Sequence, residues 1–340
     1  MKKNIQKSET GLVIGKFYPP HKGHKFLIDT ALKNSEKVFV IVCYKNDESI
    51  PGELRAKWIR EIHPEAEVLL VDDDLTGKLT HSSPEEISKA WAEYTVQILG
   101  FSPDAVYTSE EYGARYAKFM GAKHVLADKE RVKVPISATK IRKNPLLYWE
   151  YLLPPVRAYF TKRITVVGAE STGTTTMAKA LAEHYKTSWV PEYGRTYWEG
   201  KLNSPEASIW RTGEFIHIAD MQNKMEDDLA RTANKILICD TDSFATTLWH
   251  ERYMKFLSPE VEKLSSNRKY DLYLLTDIDI PFVQDGTRDG ENIRAGMHQR
   301  FIAELKKNKK PFVLLSGSHE ARLEKAAKEC DKVLSKVVAH

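Results

Sequence analysis

Two histidines open the chemistry of this chain. They stand three apart in "GKFYPPHKGHKFLIDTAL", residues 15–32, where an apolar run ends at Gly15 and His21-Lys22-Gly23-His24 begins a helical pattern. At i and i+3, both imidazoles fall on one side of the helix start. The free N–H groups and dipole of that end already favour anions, and imidazoles there can donate to phosphate oxygens as charge develops. Gly23 lets a phosphate approach the backbone. A histidine pair alone would read equally as a metal site or as core; the complete spacing G-x-F-x-P-x-H-x-G-H, with Gly15 and Phe17, favours the anion site. Far along the chain, "ISATKIR", residues 136–142, puts Ser137 and Thr139 where they can cap a helix and Arg142 where it can reach phosphates. These residue types suit attack of a phosphate on the α-phosphorus of ATP with loss of pyrophosphate. The attacking phosphate is already anionic, so no general base is needed. His21, His24, Lys16, Arg142 and Mg2+ meet the remaining demand, which is positioning and neutralising the leaving group.

A second phosphate-binding pattern lies in "VVGAESTGTTTMAKAL", residues 166–181. A strand, a glycine-rich turn and a helix follow in order, the frame of G-x-x-x-x-G-K-[ST]. Gly168, Glu170, Ser171, Gly173, Thr174, Thr175 and Thr176 form the candidate nucleotide turn, with Thr175 offering its hydroxyl to magnesium. Thr174 occupies the lysine position, which removes a point charge near the β- and γ-phosphates. The segment 284–300 carries Arg288, Arg294 and Arg300 and is expected to supply that charge as a lid, whereas Lys179 is expected to point away. Asp240 and Asp242 in "KILICDTDSFAT" follow a buried strand, one expected on magnesium and one on substrate or as base. Glu192, Tyr193 and Arg195 follow another strand end, where ligands of open α/β sheets gather. Strand-end acids read equally as helix caps.

The elements that would position these groups are legible as two βα-rich halves. "GLVIGKF", "KVFVIVCY", "AEVLLVD" and "DAVYTS" read as strands in the first, with helical stretches near 22–34, 53–62, 84–100 and 110–120. "RITVVGAES", "KILICDTD", "YDLYLLTD" and "PFVLLSG" read as strands in the second, with helices at 205–231 and 299–309. Short β-branched runs alternating with helices predict parallel sheets covered on both faces. Two domains, 1–150 and 151–340, are expected, joined by "YWEYLLPPVRAYFTKR", whose Pro154-Pro155 pair is expected to break any helix. Of the 340 residues, 42% are hydrophobic and 29% charged, and the net charge is +4, which asks for no nucleic-acid partner. Cys43, Cys239 and Cys330 make no C-x-x-C pair, and the first and second end apolar runs, so buried free thiols are expected. No secretory leader and no apolar run of roughly 18 residues is present, which predicts a cytoplasmic protein without stable membrane association.

The "HKGH" and "ISATKIR" segments resemble the signatures of the nucleotidylyltransferase superfamily. "RAKWIREI", "TSEEYGARYA", the G-x-E-S-x-G turn, the P-E-Y-x-R segment, the D-T-D strand end, the D-G-x-R lid and the linker resemble NadR-like bifunctional proteins from about residue 10 to 330. The resemblance implies an N-terminal Rossmann-like nucleotidylyltransferase sheet and a C-terminal P-loop kinase-like sheet. It implies that Gly15, Phe17, Gly23, Ser137 and Thr139 hold ATP and that Trp58, Glu110 and Tyr112 hold nicotinamide mononucleotide (NMN), giving NAD. In the second half it implies phosphorylation of ribosylnicotinamide, bound by Glu192, Tyr193 and Arg195. ATP would be co-substrate throughout, with Thr175 and Asp240 on Mg2+; a homo-oligomer is compatible with the sequence. Departures from the family shape the alternatives. The DNA-binding domain of some members has no counterpart here, which weighs against a transcription regulator. Thr174 supports a reading in which the second half only senses nucleotide. Another phosphate acceptor, as in pantetheine-phosphate relatives, fits the linker and second half poorly.

Overall fold

A computed structural model describes residues 7–286, 288 and 290–336; the outermost ends of the two expected domains lie outside these. Two compact units meet between Val156 and Arg157.

The first unit is a five-stranded parallel sheet in the order β3-β2-β1-β4-β5, formed by β1 (Ser8–Gly15), β2 (Ser35–Tyr44), β3 (Glu67–Asp72), β4 (Ala105–Thr108) and β5 (Lys123–Leu126). Period-2 alternation decides which side chains meet which helices. Val13, Val40 and Val42 pack with Leu27, Ile28 and Ile59 on one face. Leu12, Phe39 and Ile41 pack with Ala92, Tyr116 and Ala117 on the other. Both faces are therefore buried, as near-continuous apolar strands require. Strand order reverses beside β1, and the C-terminal edge of the sheet at such a reversal is where ligands of this architecture bind.

The second unit repeats the principle in the order β10-β9-β6-β8-β7, all parallel. Its strands are β6 (Lys162–Val167), β7 (Trp189–Val190), β8 (Ile236–Asp240), β9 (Leu272–Thr276) and β10 (Phe312–Leu315). Central β6 delivers the glycine-rich turn, and its neighbour β8 ends on Asp240, so the two candidate groups emerge from the same sheet edge.

One expectation needs correcting. Pro154 and Pro155 do not break a helix; they begin one, Pro154–Phe160. A first-turn N–H has no intrahelical partner to lose, and proline's fixed φ suits that position. The three cysteines are free and buried. Among the described residues no helix is long and apolar enough to cross a membrane.

Candidate active sites

In the first unit the backbone turns sharply after Gly15. Phe17 takes a left-handed φ of 47° and is 2% exposed, its ring set edge-on to His24 at 5.0 Å. His21 is the N-cap of the helix Lys22–Asn34, and its Nδ1 accepts from the Gly23 N–H at 3.1 Å. That bond uses Nδ1 as an acceptor and leaves Nε2–H as the ring's donor. The His24 ring stacks on His21 at 3.8 Å, and its buried Nδ1 has no partner among the described residues. Gly23 leaves room for His21: a Cβ there would stand 2.9 Å from His21 Cε1. Burial pushes both imidazoles down, helped for His21 by its neighbour His24 and for both by Arg131; His24 is held at about 3. Both are thus neutral single donors at neutral pH.

The second signature folds back onto the first. Ser137 caps the helix Ala138–Lys143, accepting from Lys140 N at 3.3 Å. Arg142 on that helix donates to the carbonyl of Tyr18, stacks over the Tyr18 ring at 4.5 Å and donates to Thr139 Oγ1 at 3.2 Å. A contact across 124 residues joins the two motifs through Tyr18. Lys16 Nζ lies 2.9 Å from Glu48, whose other oxygen accepts from the fully buried Arg55 at 2.6 Å. Arg55 also donates to the Lys16 carbonyl at 2.6 Å, so Lys16 is fixed at both ends of the residue. Trp58 is 4% exposed in the helix Gly52–Ile62, a packed position and not an open platform for a base. Glu110 is exposed in the turn after β4, and Tyr112 begins the helix Tyr112–Phe119. Glu48, Arg55 and Arg131 were not among the residues singled out from sequence.

In the second unit the turn after β6 is pinned from within. Thr172 Oγ1 donates to the Ala169 carbonyl at 2.6 Å and shares a 2.7 Å hydrogen bond with Thr276 Oγ1 at the end of β9. Gly173 caps the helix Thr174–Tyr185 with φ 85°, where a Cβ is disfavoured. At Gly168 a Cβ would fall 2.2 Å from Thr276 Oγ1 and 2.7 Å from Thr172 Oγ1. Gly168→Ala is therefore expected to destabilise this unit by about 1–3 kcal/mol, the usual cost of overpacking, read as a lower denaturant midpoint. An unchanged midpoint would show that the hydroxyl pair yields freely.

Asp240 is 1% exposed, and its Oδ1 has no partner among the described residues. Burial raises its pKa, opposed by hydrogen bonds from the hydroxyls of Thr175 and Thr174. A cavity of about 410 Å3 opens beside this turn, lined on the phosphate side by Glu170, Ser171, Thr174 and Thr175. Glu192, the N-cap residue of the helix Tyr193–Lys201, lines it too. Burial first, then Asp240, push its carboxyl up to about 8, with Arg195 opposing. The Tyr193 N–H donates to Gln222 Oε1 at 3.0 Å, and its hydroxyl meets His217 Nε2 at 3.0 Å. The far wall is aromatic: Trp198 stacks on Trp210 at 5.4 Å, and Phe215, Trp249 and Tyr253 complete it. Trp198 Nε1 and Gln222 Nε2 are buried donors lacking partners among the described residues.

Two expectations fail here. Asp242 is 0% exposed; one oxygen caps the helix Ser243–Met254 through Ala245 N at 2.9 Å, and the other accepts from Tyr273 at 2.8 Å. It is a structural cap, with no oxygen left for substrate. Arg300 pairs with Glu251 at 2.8 Å and Glu304 at 2.7 Å, away from the turn. Arg288 and Arg294 do reach the turn, at Ser171 Oγ (3.1 Å) and the Ser171 carbonyl (3.3 Å). Lys179 lies over the Trp189 ring at 5.0 Å.

Comparison with known proteins places these units. Residues 12–144 match the cytidylyltransferase-like family, and residues 163–322 match an AAA domain family. The trifunctional NAD biosynthesis/regulator protein NadR of Salmonella typhimurium is 30% identical over 326 residues, 89% of this chain and 78% of that protein. A crystal structure of a NadR protein in complex with NAD and AMP-PNP matches with a TM-score of 0.74 at 21% identity, covering 99% of both chains. Another, in complex with NR, matches with a TM-score of 0.77 at 22% identity, covering 98% of both. The two parallel-sheet units are those of this architecture.

Proposed function

The chain belongs to the NadR family, and from that premise we propose that it carries out two successive steps of NAD salvage. Residues 1–150 transfer the adenylyl group of ATP to NMN, giving NAD and pyrophosphate. Residues 151–340 phosphorylate ribosylnicotinamide with ATP and so supply the NMN. The observation that supports this best is the joining of "HKGH" and "ISATKIR" through the Arg142–Tyr18 contact, which gathers two neutral imidazole donors and a guanidinium on one strand end.

In the first step an NMN phosphate oxygen attacks the α-phosphorus, and the bond to the bridging oxygen of pyrophosphate breaks. His21 Nε2–H and His24 donate to phosphate oxygens as charge builds, and Lys16 and Arg142 neutralise the leaving pyrophosphate. In the second, Glu192 accepts the riboside 5′-hydroxyl proton as the γ-phosphoryl group moves across and ADP leaves. This gives Glu192 the place on substrate or as base that was expected of Asp242. The unpartnered Oδ1 of Asp240 beside the Thr175 hydroxyl fits a magnesium ion, which these two residues would hold. Magnesium held there by Asp240 and Thr175 would supply charge screening for the phosphates. The aromatic wall suits a planar ring, and the NadR complexes with NR and with NAD and AMP-PNP support these ligand classes.

Incubation with ribosylnicotinamide and Mg-ATP, following NMN and NAD separately, tests both halves. NAD formed from the riboside is the expected result. NAD from NMN but not from the riboside would overturn the kinase step and leave the second unit as a nucleotide sensor, the role Thr174 would then explain. No NAD from NMN would overturn the first step.

A further inference from the structure

The glycine-rich turn lacks its lysine, yet three arginines reach it, and they do not do the same thing. Arg322 is 3% exposed and spends its donors on the carbonyls of Thr172 (2.8 Å), Gly317 (3.1 Å) and Asp277 (3.2 Å) and on Asp279. Arg294 is 5% exposed and holds the carbonyls of Ser171 (3.3 Å) and Ile280 (3.0 Å). Both brace the turn's backbone and line no part of the cavity. Arg288 does line it, as Thr174 does. Its Nη1 is 3.1 Å from Ser171 Oγ, and its Nη2 is 3.1 Å from Asp285 Oδ2. The same carboxylate oxygen lies 2.8 Å from Arg195 Nη2, which reaches it from the helix Tyr193–Lys201. Val283 N–H also donates to Ser171 Oγ at 2.8 Å, so this segment is seated on the turn.

We propose that Asp285 is the positioning residue that seats Arg288 as the phosphate cation in place of the missing lysine, and that Arg195 ties this seat to the acceptor side of the cavity. The proposal rests on reading the second unit as the ATP-using kinase. Its physical basis is that an arginine on a connecting segment loses rotamer freedom when it is held, and a shared carboxylate holds it in advance. Two guanidiniums facing one cavity also repel unless an anion stands between them. Without that anion Arg288 keeps its Nη1 contacts to Ser171 Oγ and the Val283 carbonyl, but its Nη2 is unheld and nothing offsets the repulsion from Arg195. The seat further explains a tolerated threonine at 174: a lysine there would duplicate a charge already delivered.

Asp285→Asn keeps the shape and removes the charge. We expect the KM for ATP in riboside phosphorylation to rise about tenfold, the worth of one charge-assisted contact. Thr174→Lys in the Asp285→Asn background should restore that KM, measured against the Thr174→Lys single variant as its reference. A residue that merely holds the fold would not be rescued by a lysine at 174. Calorimetry of AMP-PNP on the full chain reads the same pattern without turnover, as weakening of one nucleotide site and its recovery in the double variant. An Asp285→Asn protein with unchanged KM and unchanged AMP-PNP binding overturns the proposal. Weakened binding that Thr174→Lys does not restore overturns it too. If the riboside is never phosphorylated but the lysine restores a weakened AMP-PNP site, the kinase reading fails and the seat for Arg288 stands.

Discussion

Alanine at His24 is expected to lower kcat/KM for NAD formation from NMN by about 100- to 1,000-fold, the measured worth of one preorganised donor to a developing oxyanion. His24 is set up for that role by its surroundings. Its ring is stacked on His21 and met edge-on by Phe17, and its buried Nδ1 has no partner among the described residues. Buried polar atoms are normally satisfied, so an orphan of this kind is either a defect or a group awaiting its ligand. His24→Asn, which keeps a donor, should recover part of the loss, and riboside phosphorylation by the same protein serves as the folding control. The pH profile carries a second check. With His24 held at about 3 and His21 lower still, neither ring titrates between pH 5 and 8 in the free enzyme. The kcat/KM profile should therefore show no inflection near 6.5. An inflection there that disappears in His24→Ala would mean that the imidazolium is the working form and would overturn the neutral-donor account.

How much of this could be read from the chain follows from how local each feature is. The two phosphate turns were legible because strand, turn and helix start lie within about ten residues, and Gly23 answers to a contact with His21 inside its own turn, whereas Gly168 is also crowded by the distant Thr276. Parallel sheets were legible because fully buried strands such as Val38–Cys43 have no polar alternation. β5 was passed over, since its four residues, Lys123–Leu126, are a mixture of exposed and half-buried positions with no apolar run. Asp242 misled because a strand-end carboxylate looks the same whether it caps a helix or faces a ligand; only Tyr273 and Ala245 N reveal which. The aromatic wall was illegible for a different reason. Trp198, Trp210 and Phe215 come from separate stretches of chain, and they meet Trp249 and Tyr253 of the helix Ser243–Met254 only in the folded unit. Glu48, which pairs directly with Lys16 and with buried Arg55, has no local signature at all.

Glu192→Gln is the substitution expected to affect the kinase half most, lowering riboside phosphorylation by about 100-fold or more while NAD formation from NMN continues. A hydroxyl acceptor gains about 10²–10⁴ from a positioned base, and the best base titrates near the working pH. Glu192 is pushed up to about 8 by burial and by Asp240, which places it in that range, whereas an ordinary surface carboxylate would be a poor proton acceptor. Its kcat/KM should climb as pH rises toward 8, and the glutamine variant should lose that limb. The same shift has a stability consequence of fixed sign. A carboxyl raised in the folded state keeps its stabilising contribution below its ordinary pKa, near 4.5, and loses it progressively as pH rises to about 8. Glutamine cannot ionise, so it loses nothing over that window. The Tm of Glu192→Gln relative to the parent should therefore increase between pH 4 and 8 and level off above it. A Tm difference that stays constant from pH 4 to 9, together with retained phosphorylation, would mean that Glu192 titrates as an ordinary carboxylate. The proton acceptor would then have to be sought at Asp240, the other acidic group raised beside the same turn.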